Sequence, residues 1–234
     1  MSGCVGPYIT RFSAWAPGVE APGEWDEWAL GRREIHSGPE GPEIAYTAPV
    51  FRRRLSQISR MTIQVVHDLL PLGEDTKMIF LSFRGELLRQ YKIDKMLIED
   101  KSIMPSDFSF SVFNAPAALA SIAFGLKGGY SALYPGGNSF AAGLAAAEAA
   151  LPHGVSGELA FVYADEEVPP EYRAVSQGSC LPLAFGFLFS RESGGPSPES
   201  GAVSIPLSAL KGGEDSPEVF LKSLLLYRKT NAPS

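Results

Sequence analysis

The stretch that most constrains the fold runs from Asn114 to Leu151, NAPAALASIAFGLKGGYSALYPGGNSFAAGLAAAEAAL. Asn114 to Gly125 is apolar and Ala-rich, with the length of a helix, and Tyr130 to Tyr134 is a short β-prone run between glycines. Pro135-Gly136-Gly137 makes a sharp turn, after which Asn138 or Ser139 can cap a helix from Phe140 to Leu151. Strand, tight turn and helix N-terminus form an arrangement that can expose a nucleophile. Backbone N–H groups at such a turn stabilise negative charge, and the helix dipole lowers the pKa of a thiol placed there.

The flanking sequence repeats this strand and helix alternation. Tyr8 to Trp15 reads as a first strand, and Trp25 to Gly31 as a short helix ahead of the loop Gly38-Pro39-Glu40-Gly41-Pro42. Trp15, Trp25 and Trp28 either pack over a sheet edge or offer an aromatic surface to a ligand. Pro49 to Leu70 carries Leu55, Ile58, Met61, Ile63, Val65, Val66 and Leu69 mostly at helical spacing and is expected to be one helix. Lys77 to Phe83 is a buried strand, and Leu87 to Glu99 a helix. Glu158 to Ala164 and Leu181 to Phe189 are two more strands, 191–201 has the composition of a flexible loop, and Pro217 to Tyr227 is a helix. The order β-α-β-α-β-α-β-β implies an α/β fold with a mixed sheet of five strands and helices on both faces. Val203 to Leu207 has room for one further short strand. At 234 residues a single domain spanning 1–234 is the default.

Candidate chemistry gathers at the ends of these strands. The turn after Lys77 to Phe83 holds Ser82, Arg84 and Glu86, in the position where open α/β sheets place ligands, although an Arg–Glu pair that merely holds the turn has the same sequence. Asp165-Glu166-Glu167 ends another strand with no His or Cys beside it, which reads as a charged loop capping the strand. Arg52-Arg53-Arg54 opens a helix against its dipole, so these arginines are either solvated or neutralised by a carboxylate or phosphate. A net charge of −6 argues against nucleic acid as a principal partner. Cys4 and Cys180 have no metal-ligand spacing and form no disulfide framework, which fits a cytoplasmic protein, and no metal or cofactor is expected. No run approaches the 18 or so apolar residues of a membrane span, and the N-terminus lacks the pattern of a signal peptide.

The central stretch resembles the nucleophile region of the β-ketoacyl synthases of the thiolase superfamily. Asn114, Ala117, Ile122, Gly125, Leu126, Gly128 and Ser139 follow that pattern without a gap. A closer resemblance is to short ketosynthase-like, chain-length-factor-like proteins of type II fatty acid, polyketide or aryl polyene systems. It extends to Ser13-Ala14-Trp15-Ala16-Pro17-Gly18, Arg52-Arg53-Arg54-Leu55-Ser56, Ser82-x-Arg84-Gly85-Glu86 and Phe108-Ser109-Phe110-Ser111-Val112-x-Asn114. The resemblance implies one half of a thiolase-like fold, with the segment holding Phe108, Phe110 and Phe113 buried against a partner. It places the last strong strand antiparallel at the sheet edge or next to it. It puts the catalytic cysteine's position at Gly137, and none of His36, His67 and His153 stands in the motifs of the family's two catalytic histidines.

Three functions stay open at this stage. One is a non-catalytic ketosynthase-like partner, a chain length factor or scaffold beside a complete ketosynthase and an acyl carrier protein, with Arg52, Arg53, Arg54, Phe113 and Tyr130 on the partner surface. Another is an acyl-thioester hydrolase or transferase using Ser139, which needs a base from His67 or His153. The third is a homodimer paired through Tyr130 to Tyr134 that binds an acyl group. The binding residues expected across these readings are Arg84, Glu86, Phe108, Phe110, Asn114, Gly136, Gly137, Asn138 and Ser139.

Overall fold

The computed structural model describes residues 7–151, 157–191, 204–210 and 216–231. Cys4, His153 and the 191–201 loop from residue 192 onward lie outside the described residues. The elements are β1 (Tyr8–Trp15), α1 (Pro22–Ala29), α2 (Pro49–Arg52), α3 (Gln57–Asp68), β2 (Lys77–Leu81), α4 (Leu87–Glu99), α5 (Pro105–Ser109), α6 (Ala115–Phe124), β3 (Tyr130–Leu133), α7 (Phe140–Ala150), β4 (Glu158–Asp165), β5 (Leu183–Ser190), β6 (Ile205–Pro206) and α8 (Pro217–Asn231).

The strands form one mixed sheet in the order β3-β2-β4-β5-β1-β6. β2 runs parallel to β3 and β4, whereas β5 is antiparallel to β4 and to β1. Six strands stand where five were expected, because Ile205–Pro206 adds a two-residue strand antiparallel to the start of β1. That addition and β1 itself put β5 inside the sheet, antiparallel as expected but away from its edge.

Alternation along the central strands sends apolar side chains to both faces. Ile79, Leu81, Leu159, Phe161, Tyr163, Phe185, Phe187 and Phe189 share one core with α1, α7 and α8, while Met78, Phe80, Ala160, Val162, Ala164 and Leu188 share the other with α3 and α6. Phe140, the first residue of α7, lies 5.2 to 6.0 Å between ring centroids from Phe161, Tyr163, Phe185 and Phe220. Such offset and edge contacts lock a ring into one orientation. They hold the start of α7, and with it the turn before it, against the sheet.

The expected helix from Pro49 to Leu70 is two helices. The chain leaves α2 after Arg52, and Ser56 adopts an extended conformation and caps α3 by accepting a hydrogen bond from the Ser59 N–H at 3.2 Å. A serine able to take an orphan N–H starts a new helix at little cost, so the periodic pattern is interrupted at Ser56. Arg52 and Arg53 therefore sit at the C-terminal end of α2, where cations suit the dipole.

Candidate functional site

Three loops meet at the carboxyl ends of the parallel strands: 82–86 after β2, 134–139 after β3, and 165–179 after β4. Asp165, the last residue of β4, is 1% exposed and gathers five donors. Its Oδ1 accepts from Ser82 Oγ at 2.6 Å and from the backbone N–H of Phe83 and Arg84, each at 3.1 Å. Oδ2 accepts from Tyr163 OH at 2.9 Å and from the Arg84 guanidinium at 3.3 Å. Burial pushes the Asp165 carboxyl up, opposed first by the Arg84 charge and then by the Ser82 hydroxyl. Burial also raises Tyr163 well above the usual phenol range, so it stays a donor. The rest of the Arg84 guanidinium crosses to the third loop, donating to Ser176 Oγ, Gln177 O and Ser179 O at 3.2, 2.9 and 2.7 Å. One arginine thus fastens the 165–179 segment to the end of β2.

Glu86 does not pair with Arg84. It is 3% exposed, and its Oε1 accepts from Ser56 Oγ and Ser59 Oγ, both at 2.7 Å, while Oε2 faces Arg89 Nε at 3.3 Å. Because Glu86 is the N-cap residue of α4 and Ser56 that of α3, this carboxylate joins the starts of the two helices. Glu166 completes the junction. It is fully buried, its Oε1 accepts from the Leu88 N–H of α4 at 2.7 Å, and its Oε2 has no hydrogen-bond partner. Burial, reinforced by the neighbouring Glu86, pushes its carboxyl up to about 8, with the Leu88 and Ile58 N–H groups opposing. Asp165 and Glu166 are therefore buried members of a hydrogen-bond network, not the charged capping loop expected from the sequence. Parallel pairing of β4 beside β2 carries both side chains under the ends of their neighbours, where hydroxyls, N–H groups and Arg84 receive them.

Gly136, Gly137 and Asn138 form a single helical turn between β3 and α7, with Gly137 at φ +66°. That left-handed conformation favours glycine, and the space where a side chain would project is open. A cavity of about 530 Å³ lies here, lined by Gly137, Tyr134, Phe83, Arg84, Leu87 and residues of the 168–177 segment. Ser139 caps α7 by accepting from the Ala142 N–H at 3.2 Å. No histidine is among its hydrogen-bond partners in the described residues. His67 instead stacks on Tyr46 at 3.8 Å and contacts Asp68. Ser139→Ala is accordingly expected to lower stability by about 1 kcal/mol, measured by urea unfolding. A loss below a few tenths of a kcal/mol would show that the cap is dispensable.

Phe113 lies between Phe80 and Tyr134, at 6.3 and 6.2 Å, and its ring closes over Gly85, whose φ is +59° and where a Cβ would come within 2.6 Å of it. Asn114 Nδ2 donates to Tyr130 OH at 2.9 Å, tying the start of α6 to β3. Phe108 does not share this burial: on the short α5 it is 64% exposed, while Phe110 is half-buried. Arg52 is half-buried, Arg53 and Arg54 are exposed, and none of the three makes an ion pair among the described residues. The structure therefore brings Arg84 and Gly137 to one cavity and Asn114 and Tyr130 to one contact. Glu86 is placed inside the protein. Sequence reasoning singled out Asp165 and Glu166 but not their burial or their partners; the signal for it was a strand buried along its length whose last residues are acidic.

Among the described residues no group of three or more His, Cys, Asp or Glu side chains is placed to hold a metal ion, and no helix is long and apolar enough to cross a membrane. Residues 25–215 match the family model described as β-ketoacyl synthase, N-terminal domain. No curated protein sequence matches the chain. Among solved structures it is similar to a chain of a ketosynthase (ApeO) in complex with its chain length factor (ApeC) from Xenorhabdus doucetiae. The TM-score is 0.71 and the identity 26%, over 94% of this chain and 91% of that one. It also shares its fold with the ishigamide ketosynthase/chain length factor, with TM-score 0.65 and 16% identity over 82% of this chain and 64% of that one. A third similar structure is AntDE:AntF, an acyl carrier protein of a type II polyketide synthase with its ketosynthase bound to the hexaketide. There the TM-score is 0.61 and the identity 14%, over 79% of this chain and 62% of that one.

Proposed function

The chain belongs to the β-ketoacyl synthase N-terminal domain family, and we propose that within it the protein acts as a non-catalytic partner, a chain length factor or scaffold beside a complete ketosynthase. The observation that carries this reading is Gly137. A condensing enzyme needs a thiolate to hold the acyl chain and donors to stabilise the enolate and oxyanion. At the turn where the family resemblance places that thiolate, this chain has an exposed glycine with open space around it. A glycine in place of the nucleophile suits a chain that supplies surface and cavity wall.

The exposed apolar side chains support a partner as well. Met104, Phe108, Val112, Ile122 and Tyr134 are 48% to 71% exposed, and among the described residues β3 stands at the edge of the sheet with one side unpaired. Exposed apolar surface beside an open strand edge favours association. The setting we propose is a cytoplasmic type II fatty acid or polyketide-type system, including those that make aryl polyenes, in which an acyl carrier protein delivers the growing chain and meets the basic face that includes Arg52.

Co-expression with a ketosynthase and carrier protein encoded alongside, followed by sizing and a malonyl-dependent elongation assay, tests this function. A stable complex whose product length or rate depends on this chain is the expected result. A chain that does not associate and runs as a discrete homodimer would overturn it. Phe108→Asp should leave stability within about 0.5 kcal/mol, because the side chain is exposed, yet weaken association in the same co-purification. Unchanged association would remove Phe108 from the partner surface.

A further inference from the structure

We propose that the cleft between the start of α3 and one face of α4 binds a small phosphorylated ligand of nucleotide size, separately from any partner protein. The cleft is about 820 Å³, within the range of small-molecule sites, and is concave where a protein contact would be broad and flat. Arg53, Arg54, Arg89, Lys92 and Lys95 line it, against only Glu99 and Asp107, in a chain whose net charge is −6. Positive charge has therefore been collected here against the overall balance.

Most of that charge is uncommitted. Arg89 is held by Glu86 at 3.3 Å, Asp107 at 3.4 Å and Arg54 O at 2.8 Å, and Lys95 stands 3.9 Å from Glu99. The side chains of Arg53, Arg54 and Lys92 have no hydrogen bond or ion pair among the described residues. Three unpaired cations around one concavity match a ligand with more than one oxyanion, and guanidinium groups suit the oxygens of phosphate in particular. The floor is apolar, with Leu55, Ile93, Met96 and Phe110. The Phe110 ring already carries the Arg89 guanidinium 5.7 Å from its centroid. An aromatic ring beside a cationic cluster offers a flat, apolar body a place to lie while its phosphates meet Arg53, Arg54 and Lys92.

Calorimetric titration of the full chain, alone or in complex with its partner, with ADP and separately with pyrophosphate tests the assignment at two salt concentrations. Saturable ADP binding is expected, weakened by salt, and weakened about tenfold or more by Arg53→Ser combined with Arg54→Ser, or by Lys92→Ala. Phe110→Ala should weaken ADP and leave pyrophosphate unchanged. Arg32→Ser removes an exposed cation that is paired with Glu27 and lies outside the cleft, so it should change neither. Circular dichroism confirms that each variant is folded. Absence of saturable binding at millimolar ADP, or an equal loss in the Arg32 variant, would overturn the proposal. So would binding of an acidic carrier protein through Arg53, Arg54 and Lys92 without any binding of ADP. Association with a ketosynthase is read by co-purification, so either proposal can fail while the other stands.

Discussion

Asp165→Ala is expected to lower stability by about 3–5 kcal/mol, the range for breaking a buried charge pair, or to prevent folding altogether. The substitution strips one acceptor from five donors at once: Ser82 Oγ, the Phe83 and Arg84 N–H groups, Tyr163 OH and the Arg84 guanidinium. They are buried or partly buried, and a buried donor left unpaired costs more than its bond contributed. Because the Arg84 guanidinium also holds Ser176, Gln177 and Ser179, the loss should spread to the wall of the Gly137 cavity. Asp165→Asn, which keeps the shape and one acceptor oxygen, should remain folded and cost about 1–3 kcal/mol. Urea unfolding gives both values, and hydrogen exchange across 168–179 should rise in the Asn variant. If the Ala variant lost less than about 1 kcal/mol, the network would not be holding these loops together.

Stability should also fall as pH rises, and Glu166 should be a principal cause. Its carboxyl moves from an ordinary 4.5 to about 8 on folding, so the folded protein binds a proton that the unfolded chain has released. The stability linked to that proton is whole below about pH 4.5 and is lost as pH rises through about 8. Burial raises Glu86 and Asp165 as well, so they contribute with the same sign, opposed at Glu86 first by the Ser56 and Ser59 hydroxyls and then by Arg89, and at Asp165 first by Arg84. Glu166→Gln removes one titrating group while keeping an oxygen to accept from the Leu88 N–H. Between pH 6 and pH 9 the difference in stability should move in favour of the variant by about 2–3 kcal/mol, the order of the linkage for two pH units. Urea midpoints at several pH values provide the test. Parallel profiles for the two proteins would show that Glu166 keeps the same charge over this range.

Much of the fold was legible because the signals are local. The apolar runs at Lys77, Glu158 and Leu183 are buried on both faces, and a strand of that kind announces itself without alternation. Gly125 ends α6 in a left-handed conformation, and Ser139 starts α7, each as its residue type suggests. The break inside 49–70 was also written in the chain, at Ser56, but a nearly continuous helical pattern of apolar residues concealed it. The two-residue β6 was harder to read because so short a strand exists only through the β1 edge on which it pairs.

The candidate site was legible in part. Ser82, Arg84 and Glu86 stood out as a motif at a strand end, and Pro135-Gly136-Gly137 as a sharp turn before a capped helix. Their partners did not stand out. Asp165 lies 81 positions from Arg84, and Glu166 lies 78 from Leu88, so no spacing rule links them.

By itself the sequence determined which segments are strands and helices, that helices cover both faces of a mixed sheet, and that a glycine turn leads into the serine-capped α7. Those features follow from side-chain periodicity, turn chemistry and capping, which act over a few residues. Only the tertiary structure decided that Arg84 serves Asp165 and not Glu86, that Glu86 and Glu166 join the starts of α3 and α4, and that Arg53, Arg54 and Lys92 surround one cleft. Charges and hydroxyls choose partners through space, and burial sets the strength and protonation of what they form. Both are fixed when the parallel strands β2 and β4 come side by side.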